Sequence, residues 1–227
     1  EVIRILTPGT LTQDDLLVPR VNNYLVAIGW SGDAMAVAWA DISTGDFAVQ
    51  QTDQTRLEGL LSMLNPAELI SPAGVRIPDV VAQYSNLCTE QPPSLFDSAA
   101  GQRALCDYFG IASLDGFGQF SRSMISAAGA LLAYIELTQK GNLPRLRTLQ
   151  PVTEAGYMEI DPATRRSLEI TRTLSDDRQG SLLAAIDQTI TAGGARLLAQ
   201  RIGAPLADAA AINRRLDLVS WFATTPD

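Results

Sequence analysis

Asn22-Asn23-Tyr24-Leu25-Val26-Ala27-Ile28-Gly29-Trp30 is the stretch whose reading decides the fold. From Asn23 to Trp30 the positions Tyr24, Val26 and Ile28 alternate with their neighbours at the period of a strand. Ser31-Gly32-Asp33 then forms a turn cluster, Ala34 to Ile42 reads as a second strand, and Ser43-Thr44-Gly45-Asp46 turns the chain into Phe47-Ala48-Val49. After this meander the period changes from two to 3.6. Thr52 is placed to cap a helix whose Leu57, Leu60, Leu61 and Leu64 make one apolar stripe, ended by Asn65-Pro66.

Helix and strand alternate from there. Glu68-Leu69-Ile70 reads as a short buried strand, Pro78 to Tyr84 as a short helix and Asn86 to Thr89 as another strand. Two longer helices follow, Ser98 to Phe109 and Gln119 to Lys140, the latter stopped by Gly141. Three meandering strands followed by alternating helices and strands imply an α/β unit, a mixed sheet flanked by helices in the ribonuclease-H-like arrangement. From about Leu146 the character changes. Leu146 to Val152 is extended, and everything beyond it reads as helical. Asp161-Pro162 sets an N-cap before a proline at the first helical position; Ser181, Thr191 and Asp208 start further helices, and Pro205 interrupts. Ile212, Leu216 and Val219 fall on one face of the last helix. This second unit is short and apolar enough to need further chain to pack against.

At the start, Val2-Ile3-Arg4-Ile5-Leu6 is a short apolar segment broken by Thr7-Pro8-Gly9-Thr10, and Asp14-Asp15-Leu16-Leu17 reads as a linker or brief helix. A chain that opens in mid-strand without Met is expected to be a piece of a longer one. No repeat or low-complexity tract is found.

Composition narrows the chemistry. With 227 residues, 46% of them hydrophobic, the chain can bury a core. The longest mostly apolar stretch, Met124 to Leu137, is broken by Ser126, Gly129 and Glu136 and falls short of the roughly 18 residues that span a bilayer. A cytoplasmic location is expected. There is no histidine, which removes Ser-His-Asp and Cys-His catalysis and the commonest zinc ligand. Cys88 and Cys106 stand far apart without metal spacing and read as buried reduced thiols. Net charge is −8, from 17 basic and 25 acidic residues. Residues 1–145 hold 8 basic and 15 acidic residues (8 − 15 = −7), and the remainder 9 and 10 (−1). So acidic a first part repels a phosphate backbone, and tight independent DNA binding is not expected.

Two-metal nuclease chemistry needs carboxylates converging on the ions, one of them on the first strand of such a sheet. The first strand here has none. Asp41 lies beside a turn and reads as a turn former; Glu68 and Asp115 are isolated in sequence. There is no GxxxxGK[ST], and Lys140 is the single lysine. Gly116-Phe117-Gly118 and Gly193-Gly194 read as helix-entry turns. Arg165-Arg166 and Arg214-Arg215 have Glu169 and Asp217 within helical reach and read as solvated faces with local ion pairs. Trp30, Trp39 and Trp221 read as core or interface residues. No catalytic, cofactor or metal residue emerges. A metal-dependent nuclease and a stand-alone adaptor remain as alternative functions.

Dispersed marks together carry a resemblance. Arg4-Ile5-Leu6-Thr7-Pro8-Gly9-Thr10 is similar to the segment that leaves the mismatch-recognition domain in the bacterial MutS mismatch-repair family. Asn22-Asn23-Tyr24-Leu25 and Asp41-Ile42-Ser43-Thr44-Gly45-Asp46-Phe47 resemble the opening strands of its connector domain, and Asn65-Pro66-Ala67-Glu68-Leu69 the end of the connector's first helix. Ile160-Asp161-Pro162-Ala163-Thr164-Arg165-Arg166-Ser167-Leu168-Glu169-Ile170-Thr171 resembles the start of the family's helical core domain, and Ser181-Leu182-Leu183, Asp187, Thr189, Thr191, Gly194, Arg196, Leu198 and Pro205 follow at its spacing. Gly193 and Arg201 depart from the family's usual Met and Trp.

The resemblance implies residues 1–20 as the tail of the mismatch-recognition domain and a linker, 21–145 as the connector, and 146–227 as the first part of the core. It implies a non-catalytic scaffold coupling mismatch recognition to ATPase domains and offering a surface to MutL. The helix Gly101 to Phe109, with exposed Gln102 and Arg103, is expected to form part of the MutL-facing surface. It also implies that the full-length parent binds mismatched DNA, hydrolyses ATP with Mg and forms a homodimer. The mismatch-reading and Walker motifs are not in this stretch, so no cofactor is expected here.

Overall fold

A computed structural model describes residues 5–11, 20–75, 79–140, 143–153 and 156–225. The expectations on Val2 to Arg4, Asp14 to Leu17, Pro78 and Gly141 lie outside the described residues. Contacts within the chain divide it into two units, residues 1–152 and 153–227.

The first unit is built on a six-stranded sheet of order β5-β4-β1-β2-β3-β6. Strands β1 (Tyr24–Ser31), β2 (Ala34–Asp41) and β3 (Asp46–Thr52) form the antiparallel meander. β4 (Glu68–Pro72) joins β1 in parallel, β5 (Cys88–Gln91) joins β4 in parallel, and β6 (Gln150–Val152) joins β3 in parallel. The extended Leu146 to Val152 segment thus closes one edge of this sheet and belongs to the first unit. The sheet is covered on both faces, so β1 is buried continuously from Tyr24 to Gly29. On one side Tyr24, Val26, Ile28, Val37 and Trp39 meet Leu57, Leu60, Leu61 and Leu64 of α1 (Leu57–Leu64). On the other, Leu25, Ala27 and the alanines of β2 meet α2 (Ser98–Phe109) and α3 (Arg122–Gln139).

α3 sits close because nothing stands in its way. A Cβ built on Gly29 would come within 2.5 Å of the Ala127 nitrogen, and one built on Gly129 within 2.4 Å of the Gly101 Cα. The small residues let α3 lie against β1 and against α2 at nearly backbone contact.

Local signals fixed most boundaries. Asn65 ends α1 in the left-handed conformation (φ 47°), Asp97 caps α2 through the Ala100 amide, and Ser121 caps α3 through the Met124 amide. Lys140 is itself the left-handed residue after α3 (φ 45°). Three expectations are corrected. Thr52 does not cap α1: its pairing with Met35 keeps it in β3, and the Asp53 carboxylate takes the amides of Thr55 (2.9 Å) and Arg56 (3.0 Å) instead. The short helix expected before Tyr84 is a run of 3-10 turns over Asp79–Leu87, which displaces the following strand toward Gln91. Cys88 and Cys106 are free but only half-buried.

In the second unit, α4 (Pro162–Ser167), α5 (Leu182–Ile186), α6 (Ala192–Gly203) and α7 (Ala209–Thr224) start at the side-chain caps Asp161, Ser181, Thr191 and Asp208. Arg165 does not pair with Glu169. Its Nη1 donates to the Gly203 carbonyl at the end of α6, while Glu169 accepts from the Leu174 amide (2.8 Å). A cation at a helix C-terminus meets the negative end of the dipole, which outweighs a pairing made across solvent. The Arg165 Nε is buried without a partner, and burial holds this guanidinium below its usual value.

Gly129→Ala should destabilise the chain by about 1–3 kcal/mol through the clash with Gly101. Gly193→Ala, with open space around it, should gain a few tenths to about 1 kcal/mol from helix propensity. Urea unfolding of the two variants side by side checks both signs.

Candidate functional site

Among the described residues of the first unit two acids are deeply buried, and both sit beside the start of β1: Tyr24 pairs with Asp41 and Leu25 with Glu68. Asp41 ends β2. Its Oδ1 accepts from the Ser43 amide (2.9 Å) and hydroxyl (2.6 Å), and its Oδ2 from the Asn23 amide (3.0 Å). The carboxylate therefore closes the β2–β3 turn and ties it to the entry of β1, as the turn-former reading expects.

Glu68 is only 3% exposed, and its isolation in sequence does not survive folding. Its Oε1 accepts from the Tyr134 hydroxyl of α3 (2.6 Å) and its Oε2 from the Gly9 amide (2.9 Å). Gly9 belongs to a 3-10 turn, Pro8–Thr10, packed so closely that a Cβ on Gly9 would meet Glu68 Cβ at 2.8 Å. The same arm is held by Ile5 N donating to the Thr138 carbonyl (2.9 Å), Asn23 Nδ2 to the Pro8 carbonyl (2.8 Å) and Gln139 Nε2 to the Thr10 carbonyl (3.2 Å). One buried carboxylate thus joins the arm, β4 and α3. Nothing in the local sequence of Glu68 signals this, because its partners lie 59 and 66 residues away. Burial pushes the Tyr134 hydroxyl well above its usual value, with the Glu68 carboxylate adding to the shift.

Both acids spend their oxygens on protein donors, and among the described residues no group of three His, Cys, Asp or Glu could hold a metal ion. Asp115 is exposed and engaged within its own turn, accepting from Ser113 Oγ (2.6 Å). Gly116 to Gly118 lies at the close of a 3-10 turn, Leu114–Phe117, and Gly193-Gly194 lies in the first turn of α6.

Gln102 and Arg103 are both exposed on α2. They border a shallow depression with Cys106, Asp107 and Ile111. Arg103 Nε donates to the Ala99 carbonyl one turn back (3.3 Å), which lays the guanidinium along the helix. Of the tryptophans, Trp39 is in the core, Trp30 is half-buried against it, and Trp221 of α7 is 57% exposed beside Phe222. Ile212, Leu216 and Val219 do share the outer surface of α7, unburied. Among the described residues no helix is long and apolar enough to cross a membrane.

Sheet, caps and hydrogen-bonded buried carboxylates define a structural body in two units, one mixed α/β and one helical. Residues 23–147 match the family model MutS domain II, and residues 163–227 match MutS domain III. The chain belongs to the MutS family. It is 47% identical over 228 residues to a protein of Paracoccus denitrificans (strain Pd 1222) named DNA mismatch repair protein MutS. Proteins of the same name from Rhodopseudomonas palustris (strain HaA2) and Cereibacter sphaeroides (strain ATCC 17025 / ATH 2.4.3) are 47% and 46% identical. All of this chain is covered in each case, and it spans 26% of the length of these relatives.

Tyr134→Phe removes one donor from the buried Glu68 and should destabilise the chain by about 1–3 kcal/mol. Since folding raises the Tyr134 value, the stability linked to it is fully present below about pH 10 and is lost as pH climbs past the unfolded value. Thermal melts from about pH 8 to 11.5 should show a steeper alkaline loss for the native chain than for Tyr134→Phe. Parallel curves would refute the assignment.

Proposed function

We propose that this chain is a non-catalytic coupling part of a DNA mismatch-repair protein, the connector domain followed by the first part of the helical core. Its role is to carry movement between a mismatch-reading part and an ATP-hydrolysing part of a longer parent. Matching to MutS domains II and III supports this, as does the much greater length of the relatives, of which the chain spans 26%. The observation that carries the non-catalytic reading is that Asp41 and Glu68 are each engaged through both oxygens by structural donors, and among the described residues no group of three acids, histidines or cysteines gathers to hold an ion.

For the first unit we take the ribonuclease-H-like arrangement. An antiparallel meander with β4 and β5 added in parallel beside β1 supports it. In the parent, ATP with Mg, mismatched DNA and a second copy of the protein are engaged through parts outside this stretch, in the cytoplasm. The exposed α2 residues Gln102 and Arg103 form part of the surface that meets MutL. Their exposure on the rim of a shallow depression supports that assignment.

Arg103→Glu in the full-length protein should weaken MutL binding about five- to tenfold, as reversal of a rim charge does. Unchanged affinity by surface plasmon resonance would remove Arg103 from the interface. Calorimetric titration of the chain with Mn²⁺ should give no saturable heat. A two-site isotherm would restore the nuclease reading.

A further inference from the structure

The run from Pro144 to Val152 crosses the first unit as a strap, and it is the last chain before Thr153, where the second unit begins. Leu146 and Leu149 are its fully buried residues, Pro151 lies half-buried beside Gly118 and Val152 packs partly on the sheet's other face, while Arg145, Arg147, Thr148 and Gln150 are exposed. Its ladder is the short β6, paired in parallel with β3 at the sheet edge over three positions, Ala48–Gln150, Val49–Pro151 and Gln50–Val152. Pro151 stands in the middle of that ladder and has no N–H to donate. The central pair β1–β2, by contrast, runs through eight positions.

Tyr108, near the end of α2, closes over the strap. Its hydroxyl donates to the Pro144 carbonyl (2.6 Å) and accepts from the Leu146 amide (2.7 Å). Beyond it, the Arg147 amide donates to the Gly45 carbonyl (2.7 Å) and the Arg147 guanidinium meets Asp46 (3.0 Å), a pair that is largely solvated and adds little. Gly45, at φ 77°, lets the strap lie so near that a Cβ there would stand 2.7 Å from the Arg145 carbonyl.

We propose that this strap is a releasable catch, opening as its own cooperative unit while the rest of the sheet stays folded, with the Tyr108 hydroxyl as the latch. Seated, it fixes the point at which the chain leaves the first unit. Released, it becomes a flexible tether able to reach about 30 Å. Two buried leucines, a half-buried Pro151 and Val152, a three-position edge ladder, one backbone bond to Gly45 and one tyrosine hold a segment of this length. Elements held this way occupy the low end of local stability.

Hydrogen exchange followed by mass spectrometry on the whole chain tests this. Peptides covering 144–152 should exchange at least about tenfold faster than those of β1, β2 and α3. Tyr108→Phe, which keeps the ring and its packing on Phe109, should accelerate them about a further tenfold and leave β1, β2 and α3 unchanged. If the strap exchanges in step with β1 and β2, or if the substitution accelerates every peptide alike or none, the proposal is overturned. Leu149→Ala, read in the same way, replaces Tyr108→Phe should the latter fail to fold.

Discussion

The first unit depends on how closely α3 approaches the sheet. Gly29 and Gly129 permit it: with any side chain at either position the helix would have to withdraw from β1 or from α2. At that distance α3 delivers polar groups to places that a more distant helix could not serve. Ser126 Oγ donates to the Phe96 carbonyl (2.7 Å), Tyr134 reaches Glu68, and the Thr138 carbonyl and Gln139 amide hold the entering arm. Close packing and buried polar pairing are here one constraint, because each of these donors and acceptors would lose its partner on a shift of an ångström or two.

Glu68 turns that constraint into a connection. A buried carboxylate is tolerable only when its oxygens are occupied, and here the donors come from an arm at the start of the chain and from α3 near the end of the unit. The arm is therefore attached to the sheet through an interaction that fails as a whole if one partner leaves. Asp41 does related work locally, joining the β2–β3 turn to the residue before β1. In a fold whose sheet invites comparison with metal-dependent enzymes, these acids serve as rivets.

Attachment at the two ends of the unit differs in kind. The arm at Ile5 to Thr10 is held through its own backbone groups by the side chains of Glu68, Asn23 and Gln139 and by the Thr138 carbonyl, the bonds to Glu68 and Gln139 being buried. The strap from Pro144 to Val152 is held by a tyrosine hydroxyl, two leucines and a short edge ladder.

Periodicity was enough to locate β1 to β3 and α1 to α3, and capping chemistry the starts of α4 to α7, since Asp161, Ser181, Thr191 and Asp208 act within three residues of themselves. Family membership was legible too, from marks spread along the chain. What only the tertiary structure decided are relations across long separations: Glu68 with Gly9 and Tyr134, β6 beside β3, Tyr108 over the strap, Arg165 at the end of α6. Local rules are silent there, because the energy of a buried polar group depends on which distant donor the packing brings within about 3 Å, and sequence neighbours carry no trace of that choice.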